Sequence, residues 1–556
     1  MRYPKEAIEN YRTTAGDLEN ELIDEYKAGA MTRTELVRRG SVLGMSIPFL
    51  AMLAGAPAAA ASPFAPGRAS SGTLRVGHIS VDGSLEPPLL QSLGALGVSH
   101  LAGEQLVVAD KNAVLRPRLA TSWKSSNNAK TWTFQLRNGV KFHEGQPFTA
   151  DDVVATFKIL QSKDSQALQA YKGLLRRARK VGTYTVAFDL VSPNGLFPYL
   201  LGQMVYQAVM LPKTYRLPSD ITKPGEWTSK MNGTGPFILK ENRGPAGLTF
   251  AANPSYWGGK PSIDTVVLQI LDDQARVTAL QSGQIDLATQ ISYQGAQQLA
   301  SGSAVLPLHS ANHRYLNMNT QKAPFNDVRV RQAFALALNS PSIVQGLWGK
   351  YGELGDDSPM WPGYPYTSHS IPQRHQQLAQ ARALLKAAGK ENLKVTLTCY
   401  RSFEMPDYAQ RVAQDLKKIG VNCTVKVYTS AQYFDGVSFG AAGKLAPWLA
   451  TDFGIVDYGG RPVPITYLNA ALRKGGVWNA ARYSSPKFEK LVAQFYAAPN
   501  LAAQKKYAAQ IQKLLLHDTP AIYAYFYNFI AATSKKVHGY VPDGMGALDL
   551  RKVTIG

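Results

Sequence analysis

From residue 73 onward the chain switches between two periodicities. Short apolar-rich runs, Trp132-Thr-Phe-Gln-Leu136, Thr183-Tyr-Thr-Val-Ala-Phe188 and Asp264-Thr-Val-Val-Leu-Gln-Ile270, read as strands. Helical spacing of apolar positions appears between them, over 150–160 and 328–338. The mixture predicts an α/β chain. Two of the helices are punctuated. Thr149-Ala-Asp-Asp offers an N-cap with acidic residues in the first turn, and Gly389 ends a helix over 378–388. Further on, Leu393-Lys-Val-Thr-Leu-Thr398, a helix near 408–419, Gly420 and Val421-Asn-Cys-Thr-Val-Lys-Val427 predict a β-α-β unit with parallel strands. No repeat at solenoid or propeller spacing is present.

The first 61 residues follow a different pattern. Arg38-Arg39 precedes an apolar run over 40–55, and small residues around Ala60 and Ala61 follow, which is the layout of a cleavable export signal. The run is short for a bilayer span of about 20 residues and contains Pro48. The arginine pair resembles a twin-arginine signal, with Gly40 and Ser41 where a hydrophobic pair is preferred. No cysteine lies near the expected cleavage point, so a soluble periplasmic product is expected rather than a lipid-anchored one. Met31 is an alternative start to Met1.

A chain of 556 residues exceeds what one core usually organises, so two or three lobes are expected. The formal net charge is +21, but residues 1–61 hold seven Lys/Arg against eight Asp/Glu, and the surplus is spread along the rest. Clustered basic residues, the mark of nucleic-acid binding, are missing. Only Cys399 and Cys423 are present, so neither a disulfide framework nor a multi-thiolate metal site can form. Whether those two pair with each other or remain separate thiols is open at this stage. The nine histidines show no His-Glu-x-x-His spacing, and no metal or cofactor is expected.

The segment Leu119-Ala-Thr-Ser-Trp through Trp132-Thr-Phe-Gln-Leu-Arg-Asn-Gly-Val-Lys-Phe-His-Glu-Gly-Gln-Pro-Phe-Thr-Ala-Asp-Asp-Val154 closely resembles solute-binding protein family 5 of ABC importers, the dipeptide, oligopeptide and nickel binders. The resemblance continues in order through Gly233-Thr-Gly-Pro-Phe237, Asn253-Pro-Ser-Tyr-Trp-Gly-Gly-Lys-Pro261, Leu280-Gln-Ser-Gly-Gln-Ile-Asp-Leu287, the run from Leu316 to Phe334, and Asp518-Thr-Pro-Ala-Ile522. Most of these residues read as structure, with glycines in turns and Trp132, Phe134 and Phe148 in the core. The resemblance implies a two-lobed periplasmic binding protein fold (type II, class C) with an additional inserted domain. The limits transferred from the family are 62–112, 231–311 and 520–556 for lobe I, 113–230 for the inserted domain, and 312–519 for lobe II. It also implies capture of a small peptide-like solute by hinge closure, delivery to an ABC permease and its ATPase, and a monomer. A sugar, an opine or a metal chelate is an alternative solute for the same fold.

In oligopeptide binders an Asp-Tyr step shortly before a proline supplies the carboxylate that meets the solute's α-ammonium. Asp457-Tyr458-Gly-Gly-Arg461-Pro462 resembles that step, although the tryptophan usual before it is absent. Arg461 either faces the ligand, favouring a solute carboxylate, or pairs with Asp457. Asn312, Tyr315 and Asn317 sit where relatives place pocket residues on a strand. Alternation puts Tyr315 and Asn317 on one face, toward the ligand or toward the core. Trp361, inside Pro359-Met-Trp-Pro-Gly-Tyr-Pro-Tyr366, is either an aromatic wall or part of a packed loop.

A secreted hydrolase is the competing class. Gly436-Val-Ser438-Phe-Gly440 has the Gly-x-Ser-x-Gly spacing and Ser484-Ser-Pro-Lys487 the Ser-x-x-Lys spacing. A nucleophile elbow follows a buried strand, and Ala431-Gln-Tyr-Phe-Asp435 is a poor candidate for one, so no enzymatic activity is expected.

Overall fold

The computed structural model describes residues 5–13, 15, 17–43, 45, 50, 53, 72–81, 83–437, 439, 443–498 and 501–556. The chain divides into two compact units. The first comprises 1–291, 295–308 and 530–556, and the second comprises 292–294 and 309–529.

The first unit holds two larger sheets and two two-stranded ones, Val107–Ala109 with Leu115–Pro117 and Val537–His538 with Thr554–Ile555. In one of the larger sheets, the strand Thr73–His78 runs parallel to Thr265–Ile270 on one side and to Leu287–Ala288 on the other. Leu248–Ala252 and Phe237–Asn242 extend it as an antiparallel pair. The inward positions Leu74, Val76, Val266, Leu268 and Phe250 meet Trp227 and Phe237 in one buried core. The strand expected over 264–270 is therefore realised, as Thr265–Ile270.

The second sheet is antiparallel, in the order Ala120–Ser126, Thr131–Leu136, Thr185–Leu190, Leu175–Gly182. The helix Ala150–Leu160 starts at the predicted N-cap Thr149, whose backbone amide donates to the Asp152 carboxylate in the first turn at 2.7 Å. Phe157 of that helix packs edge-on to Phe188 at 4.9 Å, and Trp132, Phe134 and Phe148 are fully buried.

Glu104 explains one family motif. Its carboxylate accepts from the Tyr256 hydroxyl and the Trp257 indole, each at 2.7 Å, and pairs with Arg118 at 3.0 Å. The Ser-Tyr-Trp run is a buried anchor, since an unpaired Glu at this depth would be strongly unfavourable.

Part of the segment expected to be an export signal is described, as the helices Lys5–Arg12, Asp17–Lys27 and Arg33–Leu43. Arg39 pairs with Glu25 at 2.7 Å. Most of the apolar run over 40–55 and the alanine-rich stretch after it lie outside the described residues. Among the described residues no helix is long and apolar enough to cross a membrane.

The second unit is built on strands in the order Asn422–Tyr428, Lys394–Tyr400, Phe453–Tyr458 and the long strand Ala304–Met318, whose residues from 309 onward belong here. The β-α-β unit is realised: Asn422–Tyr428 runs parallel to Lys394–Tyr400 through the helix Met405–Lys417, and Gly420 takes a φ of +83° in the turn.

That register settles the cysteine question. Cys423 lies beside Val395 and Cys399 beside Val427. A four-residue offset at about 3.3 Å per residue separates them by about 13 Å, beyond disulfide reach. Both thiols are free.

The hydrolase motifs also resolve structurally. The residues before Gly436 form a helix, Ser430–Phe434, where a nucleophile elbow needs a strand. Ser438 and Gly440 lie outside the described residues. Ser485 caps the helix Pro486–Ala497 by accepting from the Phe488 amide, so Lys487 sits in the first turn of that helix.

Candidate functional site

The candidate residues of the second unit gather on two neighbouring antiparallel strands. Pairing sets Arg314 opposite Asp457, His313 opposite Tyr458 and Tyr315 opposite Val456. Because side chains alternate, the two strands present two different faces.

One face is aromatic. His313 is ringed by Tyr467, Tyr523, Phe526 and Tyr458, with centroids 4.8–5.7 Å away. Tyr458 also stacks on Trp478 and donates its hydroxyl to the Trp478 carbonyl at 3.2 Å. Tyr315 is fully buried among Tyr458 and Tyr523, its hydroxyl 3.3 Å from the Ala471 carbonyl. Asn317 follows on the same face, as alternation predicts, and is buried beside Gly454. The side chains of this face are buried, and Asn317 Nδ2 and His313 Nε2 have no hydrogen-bond partner among the described residues.

Burial pushes the His313 pKa down to about 3, against a hydrogen bond to the Ala311 carbonyl and with Arg314 and Arg461 adding to the depression. The ring is therefore neutral, and its Nδ1–H donates to Ala311 at 2.8 Å.

The other face is ionic. Arg314 is 1 % exposed and sits between two carboxylates. It gives Glu404 a two-pronged contact, Nε to Oε1 at 2.8 Å and Nη2 to Oε2 at 2.9 Å. Its Nη1 pairs with Asp457 Oδ1 and donates to the Tyr527 hydroxyl at 2.7 Å. The Tyr527 hydroxyl in turn donates to Asp457 at 2.6 Å, and the Tyr525 hydroxyl donates to Glu404 at 2.7 Å.

The guanidinium carbon lies 4.4 Å from the Tyr527 ring centroid, and that ring stacks on Trp348 at 4.4 Å. Burial alone disfavours the Arg314 charge, but Asp457 and Glu404 together hold its pKa well above the usual value. Burial and neighbouring carboxylates likewise keep the Tyr525 and Tyr527 hydroxyls protonated, as donors.

One guanidinium against two carboxylates leaves one surplus negative charge. Glu404 is 2 % exposed and Asp457 is 18 % exposed, so that charge reaches solvent at Asp457.

Asp457 is held by Arg314, its partner across the strands, whereas Arg461 is buried with its Nη1 donating to the Gly459 carbonyl at 3.2 Å. Asn312 shares the face of Arg314 and holds the turn after the second strand by accepting from the Gly460 amide. Its buried Nδ2 has no hydrogen-bond partner among the described residues. The Trp361 ring is edge-on to Tyr364 at 5.6 Å, and the Trp361 carbonyl accepts from the Thr367 hydroxyl at 2.8 Å. A Cβ at Gly363 would come within 2.3 Å of the Trp361 ring, so any larger residue there would have to displace that ring.

Arg314, Glu404, Tyr525 and Tyr527 were not singled out from the sequence. The available signal was an arginine inside a strand of otherwise buried residues, which demands a carboxylate partner.

Comparison with known proteins agrees with this architecture. Residues 114–473 match the profile of bacterial extracellular solute-binding proteins, family 5. The chain belongs to that family. A dipeptide-binding protein of Escherichia coli (strain K12) is 26 % identical over 476 residues, covering 79 % of this chain and 86 % of the relative. Heme-binding protein A of Haemophilus influenzae is 26 % identical over 465 residues, covering 78 % and 82 %. The periplasmic binding protein DppA of Helicobacter pylori, solved with the peptide STSA, superposes with a TM-score of 0.76 at 23 % identity over 88 % of this chain and 98 % of that one. The fold is that of the periplasmic binding proteins, and the members of the family are binding proteins rather than enzymes.

Proposed function

We infer that this chain is the extracytoplasmic solute-binding component of an ABC importer, and that it binds a small peptide-like solute through a cationic group set against Asp457. One observation carries the reading: Asp457 is the one member of the Arg314 cluster that reaches solvent, and the cluster holds one more carboxylate than guanidinium. An ammonium there would gain a charge-assisted hydrogen bond in a poorly hydrated setting. The buried Nδ2 of Asn312, on the same strand face, is a further donor suited to a solute oxygen.

In this reading the solute is retained by hinge closure, the closed state being selected because it contacts the solute more fully. The expected division into lobe I, an inserted domain over 113–230 and lobe II belongs to the same reading. So do delivery to an ABC permease and ATPase, a monomeric state, and export to the periplasm by the twin-arginine route. No bond is made or broken. The names of the relatives, a dipeptide binder and a heme binder, favour an organic solute with ionic groups.

The test is identification by mass spectrometry of the solute released from purified protein, then calorimetry with that compound. Asp457→Asn should weaken binding at least tenfold with the fold intact. Unchanged affinity removes Asp457 from the site.

A further inference from the structure

We propose that Glu404, a residue too deeply buried to touch solute, sets the charge selectivity of the site by occupying Arg314 so that Asp457 stays available to a cation. The inference rests on the reading that Asp457 meets the solute.

The argument starts from the five N–H donors of a guanidinium and their fixed directions. Nε and Nη2 both go to Glu404, one to each oxygen, which is the planar geometry in which an arginine and a carboxylate cancel most completely. Asp457 receives only Nη1, and it shares that edge with the Tyr527 hydroxyl. Glu404 also takes the Tyr525 hydroxyl, so the donors around it satisfy both of its oxygens.

Arg314 and Glu404 thus form a nearly closed neutral pair, 1 % and 2 % exposed. The unbalanced charge appears on Asp457. Were Glu404 neutral, Arg314 would serve as the counter-ion of Asp457 and the Arg314 cluster would carry no net charge. The class of ligand selected is a solute presenting one positive charge at this end, such as a free amino group. An N-blocked or anionic solute finds no balancing partner there. Glu404 is a positioning residue in this scheme, acting through Arg314 and Asp457.

The experiment offers intact protein an equimolar library of short peptides with free amino termini and the same library after N-acetylation, and reads the retained fraction of each by mass spectrometry. Wild type should retain the free-amino members in clear preference. Glu404→Gln should reduce that preference about tenfold or more, because an uncompensated charge within several ångströms in a low-dielectric site is worth at least that much. Adding Arg314→Met to Glu404→Gln restores the single surplus charge on Asp457 and should restore the preference.

A purely structural role for Glu404 would lower retention of both libraries together and would not be rescued by a second core substitution. The proposal is overturned if Glu404→Gln keeps the wild-type preference, or if wild type shows none. Should Glu404→Gln alone fail to fold, the double variant decides: loss of preference in it, with Asp457 intact, overturns the scheme. Asp457→Asn separates the two claims. If it leaves the preference unchanged, the reading of the site fails. If it abolishes the preference while Glu404→Gln does not, only the role of Glu404 fails.

Discussion

Arg331, in the helix Val328–Ala337, reaches the end of the helix Leu501–Asp518 and donates to the Asp518 carbonyl from Nε at 2.8 Å and from Nη2 at 2.6 Å. Its Nη1 donates to the Phe325 carbonyl at 2.6 Å. Two family motifs far apart in sequence, Asp327-Val-Arg-Val-Arg331 and Asp518-Thr-Pro, thereby meet at one buried guanidinium. It caps a helix C-terminus, where a cation is favoured.

Arg331→Ala should destabilise the second unit by about 3 kcal/mol, since it strands buried carbonyls, and Arg331→Lys should recover only part of that loss. Urea denaturation followed by tryptophan fluorescence provides the measurement. An alanine variant as stable as wild type would show that the contact contributes nothing.

Acid should act on the second unit through His313. Its folded-state pKa, about 3, lies below the ordinary histidine value, so the unfolded chain binds the proton more readily. The contribution is fully present above about pH 6.5 and is lost as pH falls from there toward 3. A single such group costs about 2 kcal/mol between pH 6.5 and 5. His313→Phe, which keeps a ring among Tyr467, Tyr523 and Phe526, should flatten the pH dependence of stability by that amount whatever its absolute stability. An identical slope in the two proteins would contradict the burial of a neutral imidazole.

The cysteines give an independent check on the register of the second unit. Burial pushes both thiols up to about 11, Cys399 being the more enclosed. In the native protein both should react slowly with a thiol reagent at pH 8, and both should react at once after denaturation. Mild oxidation should form no internal disulfide. A product lighter by two hydrogens and resistant to alkylation would mean that Cys399 and Cys423 are not offset along parallel strands.

Much of the fold was legible because it rests on local signals. The N-cap at Thr149, the stop at Gly389 and the parallel strands on either side of Gly420 all follow from spacing within a few residues. The face shared by Tyr315 and Asn317 also follows from simple alternation.

The ionic face was not legible in that way. Asp457 could be picked out by resemblance, but its partner lies 143 residues earlier, and Glu404 and Tyr527 lie 90 and 213 residues from Arg314. Only the pairing of the two strands brings Arg314 and Asp457 together. Periodicity assigns faces. It does not say which of two basic residues a carboxylate will choose, because that choice is made by strand register and by the cost of leaving a buried guanidinium unpaired.

The central claim, solute capture by a cation set against Asp457, is tested most directly by native mass spectrometry of protein purified without unfolding, comparing wild type with Asp457→Asn. Wild type should carry a bound compound that bears a primary amine once released, and the variant should arrive largely empty. A wild-type protein with no bound compound after exposure to the cell's own solutes, or equal occupancy by an amine-free compound in both proteins, would contradict the account.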